Sequence, residues 1–230
     1  MGDHKMRQRI TERGLVVSCQ AYEGEPLFGP HHMAEMAKAA VLGGAVGIRA
    51  NGLADIFAVK QAVAVPVIGL NKRNCEGSDV YITPTLEDAL AVHAAGADII
   101  ALDGTNRTRP DGRTLADTVK ELKRRDILVM ADISTEEEGR YAAQLGVDWI
   151  STTLSGYTPY STQSAEPDIA LVARLAAAVQ VPVVAEGRYG KPEDVKRALD
   201  AGAQFVVIGG AITRPQHITE RFVHAIRESG

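Results

Sequence analysis

Short apolar runs of strand length alternate with helical stretches eight times along this 230-residue chain, and no other feature narrows its fold so far. The runs are Gly14–Ala21, Ala45–Arg49, Val65–Lys72, Asp98–Gly104, Ile127–Ile133, Asp148–Leu154, V-P-V-V-A-E-G-R-Y-G (Val181–Gly190) and F-V-V-I-G-G-A-I-T-R-P (Phe205–Pro215). Apolar residues on both faces of a run suit a strand buried on both sides, as in a parallel sheet covered by helices. Helices are expected over His31–Gly43, Gly52–Val63, Thr83–Gly96, Thr114–Arg125, Ser134 to Gly146, Asp168–Val179, Pro192–Gly202 and Pro215–Glu228. Thr83 or Thr85 can cap the third of these, with Pro84 in its first turn, and Ser134-Thr135 before three glutamates is a strong helix start. Helix end, glycine, small residue and strand recur at L-G-G-A-V-G-I, A-A-G-A-D-I-I, Q-L-G-V-D-W-I and D-A-G-A-Q-F-V-V. Gly44, Gly96, Gly146 and Gly202 thus fall roughly two βα units apart. The pattern predicts a TIM (β/α)8 barrel occupying residues 1–230 as one domain, with a short polar N-terminal segment of helical character. A doubly wound open sheet is the alternative, but the G-x-G-x-x-G that usually follows its first strand is missing.

Composition narrows the function. With 45% hydrophobic residues the chain can bury a sizeable core without disulfides or metals, and Cys19 and Cys75 make neither a disulfide framework nor a zinc set. A net charge of -4 with scattered Lys and Arg argues against nucleic acid as a partner. No run approaches the roughly 18 apolar residues of a membrane span, and no apolar stretch follows the polar start, so a cytoplasmic protein is expected. His31-His32 stand at a helix start without partners at ligand spacing, so no metal is expected.

In a barrel the chemistry sits at the C-terminal strand ends, and here those ends are polar: Ser18 and Gln20, Arg49, Asn71 and Lys72, Asp103, Asp132, Thr152 and Thr153, Glu186 and Arg188. Lys72 and Glu186 each end an apolar run and face each other across the mouth, as a proton-transferring pair or as an ion pair closing the barrel top. Asp132 and Asp103 add acidic groups, and Arg49 and Arg188 can neutralise a substrate's charge. Such a set suits proton abstraction beside a carbonyl. The loops after the last two strands carry Gly187, Arg188, Gly209, Gly210 and Arg214, a phosphate cradle in which the glycines admit backbone N–H groups. The glycines alone would equally serve tight strand-to-helix turns. The long loop Ser155–Pro167 has the length of a functional one.

G-L-V-V-S-C-Q-A, G-I-R-A-N-G, V-P-V-I-G-L-N-K-R, Y-I-T-P-T, A-D-I-I-A-L-D-G-T, A-D-I-S-T, T-T-L-S-G-Y-T and V-A-E-G-R-Y occur in order over nearly the whole chain. Together they resemble the bacterial N-acetylmannosamine-6-phosphate 2-epimerases of sialic acid catabolism. The resemblance implies a TIM barrel that interconverts N-acetylmannosamine 6-phosphate and N-acetylglucosamine 6-phosphate by moving the C2 proton without a cofactor. It implies Lys72, Glu186 and Asp132 as catalytic residues, Gln20 and Arg49 on the substrate, and Gly187, Arg188, Gly209, Gly210 and Arg214 at the phosphate. The chain departs from the commoner K-R-D or K-K-D pattern at Asn74-Cys75. Another phosphosugar isomerase, a Schiff-base aldolase or a non-catalytic phosphosugar sensor are the competing readings, and a homodimer is a possible assembly.

Overall fold

The structure, a computed structural model, describes residues 10–228. Most of the helical segment expected at the N-terminus falls on residues 1–9, outside the described ones, and residues 10–13 form no helix. Eight parallel strands close into a barrel in chain order. They are β1 (Gly14–Cys19), β2 (Gly47–Asn51), β3 (Val67–Leu70), β4 (Ile99–Asp103), β5 (Leu128–Asp132), β6 (Trp149–Ser151), β7 (Val183–Glu186) and β8 (Phe205–Ile208). Closure comes from β1 against β8, where Gly14 to Val17 pair with Phe205 to Ile208.

The outer layer is α1 (Pro30–Leu42), α2 (Leu53–Ala62), α3 (Leu86–Ala94), α4 (Leu115–Arg124), α5 (Glu136–Gln144), α6 (Ile169–Ala178), α7 (Pro192–Asp200), α8 (Gly210–Thr213) and α9 (Pro215–Glu228). That is one helix more than expected, because Gly210–Thr213 forms a turn of its own before Pro215 restarts the chain. Capping chemistry sets several starts: Thr85, Thr114 and Thr135 each accept the N–H three residues on, and the acid there reaches back to the cap's N–H. Thr85 rather than Thr83 therefore caps α3, and Pro84 precedes the cap instead of lying in the first turn. Thr83 has φ 46 and donates its hydroxyl to the Ala101 carbonyl.

Side-chain alternation divides the core in two. Val16, Ile68, Leu70, Ile99, Ala101, Leu128, Met130, Trp149, Val184, Phe205 and Val207 fill the lumen. Their neighbours Val17, Cys19, Ile48, Ala50, Val67, Ile100, Leu102, Val129, Ala131, Ile150, Ala185 and Val206 pack outward against the helices. Continuing the inward parity along each strand brings Ser18, Arg49, Asp132, Ser151 and Glu186 to the top of the lumen. Cys19 points the other way, and burial pushes its thiol up to about 12, which makes it a core residue.

The outward face tolerates little added volume at Gly69 of β3. A Cβ there would stand 2.5 Å from the Ala97 Cβ and 2.8 Å from a Val92 methyl. Gly69→Val is expected to cost about 3 kcal/mol of unfolding free energy in denaturant titrations. A loss below about 0.5 kcal/mol would mean that the β3–α3 packing yields easily.

Candidate active site

Three charged side chains of inward parity meet at the C-terminal end of the barrel. Arg49 of β2 holds Asp132 of β5 in a two-pronged pair, Nη1 to Oδ1 at 3.1 Å and Nη2 to Oδ2 at 2.5 Å. The same Nη1 lies 2.9 Å from Oε2 of Glu186 on β7. Arg49 and Asp132 are 1% and 0% exposed, whereas Glu186 retains 14% and lines the pocket above them. Thr153 links the two acids, its hydroxyl 2.7 Å from Asp132 Oδ1 and 3.2 Å from Glu186 Oε2, and Ser151 backs it at 2.8 Å. The Thr152 hydroxyl fixes the Glu186 backbone by donating to its carbonyl and accepting from its N–H.

One guanidinium thus faces two carboxylates out of water. Burial is the main cause that pushes the Glu186 carboxyl up to about 7; the Asp132 charge adds to it, while Arg49 and Lys72 oppose it.

Lys72 belongs to a different environment. It lies past the end of β3, where an isolated bridge to Ile82 folds the β3–α3 connection back over the mouth. Its N–H donates to Asn51 Oδ1 at 2.7 Å, and its ammonium donates to Gln20 Oε1 at 2.9 Å and to the Tyr22 hydroxyl at 3.4 Å. Gln20 is oriented in turn by its bond to the Ser18 hydroxyl at 2.8 Å. Among the described residues Lys72 forms no ion pair, so the closing Lys72–Glu186 bridge is absent.

The pocket above these groups has a volume of about 520 Å³, and Gln20, Lys72, Thr153 and Glu186 are among the residues that line it. Gly187, Gly209, Gly210, Arg214, His217 and Arg221 complete the lining with glycines and basic side chains. Arg214 points its guanidinium at the Tyr22 ring, 4.7 Å from the centroid, with Glu25 3.4 Å away. The Arg214 and His217 side chains both lie beside Gly210. Arg188 lines the pocket but is already engaged: it donates to the Ser155 and Glu166 carbonyls at 2.7 and 3.1 Å and lies over the Tyr157 ring. From its left-handed backbone (φ 62) it pins the Ser155–Pro167 loop.

The site therefore gathers Gln20, Lys72, Thr153, Glu186, Gly187, Arg188, Gly209, Gly210 and Arg214 around one pocket, and sets Arg49 and Asp132 in the layer below it. Asp103 stands beside Asp132 as its register partner on β4 but does not line the pocket, and is buried against Arg107 and Thr105. Sequence reasoning missed Tyr22, Tyr81, His217 and Arg221. Tyr81 could have been found from Y-I-T-P-T, since the fold-back places it over the lumen; burial pushes its phenol up to about 12. Among the described residues no group of three or more His, Cys, Asp or Glu is arranged to hold a metal ion, and His31-His32 stand exposed at the start of α1. No helix among them is long and apolar enough to cross a membrane.

A closed barrel whose C-terminal mouth carries an amine, buried acids and arginines has the architecture of a (β/α)8-barrel enzyme. The family model described as "Putative N-acetylmannosamine-6-phosphate epimerase" matches residues 33–228, and the chain belongs to that family. A relative from Caldanaerobacter subterraneus subsp. tengcongensis, named "Putative N-acetylmannosamine-6-phosphate 2-epimerase", is 57% identical over 94% of this chain and 92% of its own. One of the same name from Clostridioides difficile is 51% identical over 92% of this chain and 95% of its own. The solved N-acetylmannosamine-6-phosphate 2-epimerase from Clostridium perfringens superposes with a TM-score of 0.91 at 48% identity, covering 94% of each chain.

The raised Glu186 carboxyl makes stability depend on pH. Its proton is held more tightly folded (about 7) than unfolded (near the usual 4.5), so its contribution is complete below pH 4.5 and is lost as pH rises through 7. Relative to Glu186→Gln, the parent should lose on the order of 3 kcal/mol of unfolding free energy across that window. Parallel stability curves for the two proteins between these limits would mean that Glu186 is not raised.

Proposed function

We propose that this chain interconverts N-acetylmannosamine 6-phosphate and N-acetylglucosamine 6-phosphate by cofactor-independent proton transfer at C2. Family membership supports the substrate. The observation that carries the chemistry is Lys72, an amine facing the pocket and held by neutral acceptors while Arg49 engages both carboxylates. A lysine with no carboxylate paired to it can trade a proton with substrate without breaking an ion pair.

Opening of the sugar ring to the C1 aldehyde acidifies the C2 proton. Neutral Lys72 accepts that proton, the C–H electrons pass into a C1–C2 enolate whose charge rests on the C1 oxygen, and reprotonation of C2 on the opposite face gives the epimer. Glu186, protonated through part of the neutral range, supports the reading as a hydrogen-bond or proton donor to the developing enolate. Arg49 and Asp132 act beneath it by fixing its carboxyl. Gly209, Gly210 and Arg214, with His217 and Arg221, form the phosphate end. Arg188 shapes that end through the loop it pins.

A phosphorylated substrate and two free cysteines support a cytoplasmic location. The assembly we favour is a homodimer through α9, a 14-residue helix with no residue buried in its own chain that nevertheless carries Phe222 and Ile226, 69% and 73% exposed, one turn apart. Light scattering should give twice the 24.5 kDa chain mass, and Phe222→Glu should give the chain mass; a parent at 24.5 kDa would overturn the dimer.

Lys72→Ala and Lys72→Arg should keep the fold by circular dichroism, because the side chain lies at the pocket edge and its loss leaves no core cavity. Proton NMR of N-acetylmannosamine 6-phosphate in D2O should show C2 exchange by the parent and a loss of at least about hundredfold in both variants. Guanidinium keeps the charge but cannot accept the proton. Exchange by Lys72→Arg within about tenfold of the parent would move the base to Glu186.

A further inference from the structure

We propose that Tyr22 is a positioning residue that ties the proton-transferring end of the pocket to its phosphate end, its hydroxyl serving Lys72 and its ring serving Arg214. This rests on the epimerase reading above. Tyr22 stands on the β1–α1 loop, lines the pocket and touches both cations: its hydroxyl is 3.4 Å from Lys72 Nζ, and the Arg214 guanidinium carbon is 4.7 Å from its ring centroid. Among the described residues no other side chain has a hydrogen-bond, ion-pair or ring contact with both Lys72 and Arg214.

The loop is built to hold the ring there. Glu25 accepts the Tyr22 N–H at 2.8 Å, the Glu25 N–H donates back to the Tyr22 carbonyl at 3.0 Å, and Gly24 supplies the left-handed residue (φ 88) that so tight a turn requires. The same Glu25 Oε2 lies 3.4 Å from Arg214 Nη2. Arg214 is thus located twice by one turn, by a carboxylate and by an aromatic face, and a guanidinium over a ring gains from both charge and stacking.

The hydroxyl suits a lysine that must change protonation state. Gln20 Oε1 can only accept, which favours the ammonium. A phenol accepts from the ammonium and turns its own proton toward the free amine, so it bonds Lys72 in both states and keeps the amine aimed at C2 after the proton has moved. Lys72 Nζ also lies 5.7 Å from the ring centroid, so the hydroxyl's part is read from a variant that keeps the ring and the ring's part from one that removes it.

Tyr22→Phe keeps the ring and removes the hydroxyl, while Tyr22→Leu removes both; circular dichroism and thermal melting check that each variant folds. For Tyr22→Phe, kcat for N-acetylmannosamine 6-phosphate should fall roughly tenfold, with KM unchanged. Inorganic phosphate binding, measured by calorimetry on the unliganded protein, should stay within about twofold of the parent for Tyr22→Phe and weaken roughly fivefold for Tyr22→Leu. A purely structural role would move kcat, KM and phosphate affinity together in both variants. Parental kcat in Tyr22→Phe, parental phosphate affinity in Tyr22→Leu, or equal phosphate defects in the two would each overturn the proposal. A parent without C2 exchange would instead sink the epimerase reading, and the calorimetry would still decide the ring's part.

Discussion

Arg49 governs the mouth of this barrel because its charge is out of reach of water and has to be matched where it stands. Two carboxylates match it, and both are drawn into one geometry: Asp132 by the two-pronged pair, Glu186 by the shared Nη1. Removing one partner of such a buried set typically costs about 3–5 kcal/mol, far more than an exposed pair contributes. β2, β5 and β7 are therefore pinned together from inside, on top of the hydrogen bonds that close the sheet. Burial, with the Asp132 charge beside it, raises the Glu186 carboxyl, and Glu186 is the member of the set that faces the pocket.

Most of this was legible in the sequence because a strand alternates with period two. Arg49, Asp132 and Glu186 each end a run whose previous inward residue is apolar or small, and each follows or precedes an alanine that packs outward, so their parity could be read without coordinates. The barrel itself followed from the alternation of runs and helices, and the capping pairs Thr114–Asp117 and Thr135–Glu138 mark helix starts at the level of single residues. Gly209-Gly210 also announced the turn after β8, though a separate helix of four residues there was not distinguishable from the start of the longer one.

What stayed hidden lies where no periodicity applies. Arg188 is an arginine in a glycine-rich loop, and composition suggests an anion for it. Its guanidinium is instead spent on two carbonyls and a tyrosine face across the mouth, a set of contacts that depends on how the Ser155–Pro167 loop folds. Arg49 looked like a substrate ligand for the same reason: a strand-end charge is visible in sequence, but the depth of its side chain and its partner 83 positions away are not. Tyr22 escaped because it sits on a turn whose side-chain direction is set by tertiary contact alone, and His217 and Arg221 because the sequence does not say which face of α9 turns to the pocket.

The two sides of the pocket follow opposite electrostatic rules, and this difference gives the chemistry its direction. On the carboxylate side, fixed charges hold one another through short bonds in the lumen, so that Glu186 keeps its position whichever protonation state it takes. On the amine side, Lys72 is held by an amide oxygen and a phenol, dipoles that restrain its place without fixing its charge. A proton removed from a carbon between them leaves negative charge that the carboxylate side, screened by Arg49 and partly protonated, can face, and positive charge that the amine side can receive without breaking an ion pair. Had Lys72 been paired with Glu186 across the mouth, each group would have neutralised the other and neither would be free to trade a proton; it is Arg49, by engaging the acids from below, that leaves the lysine available.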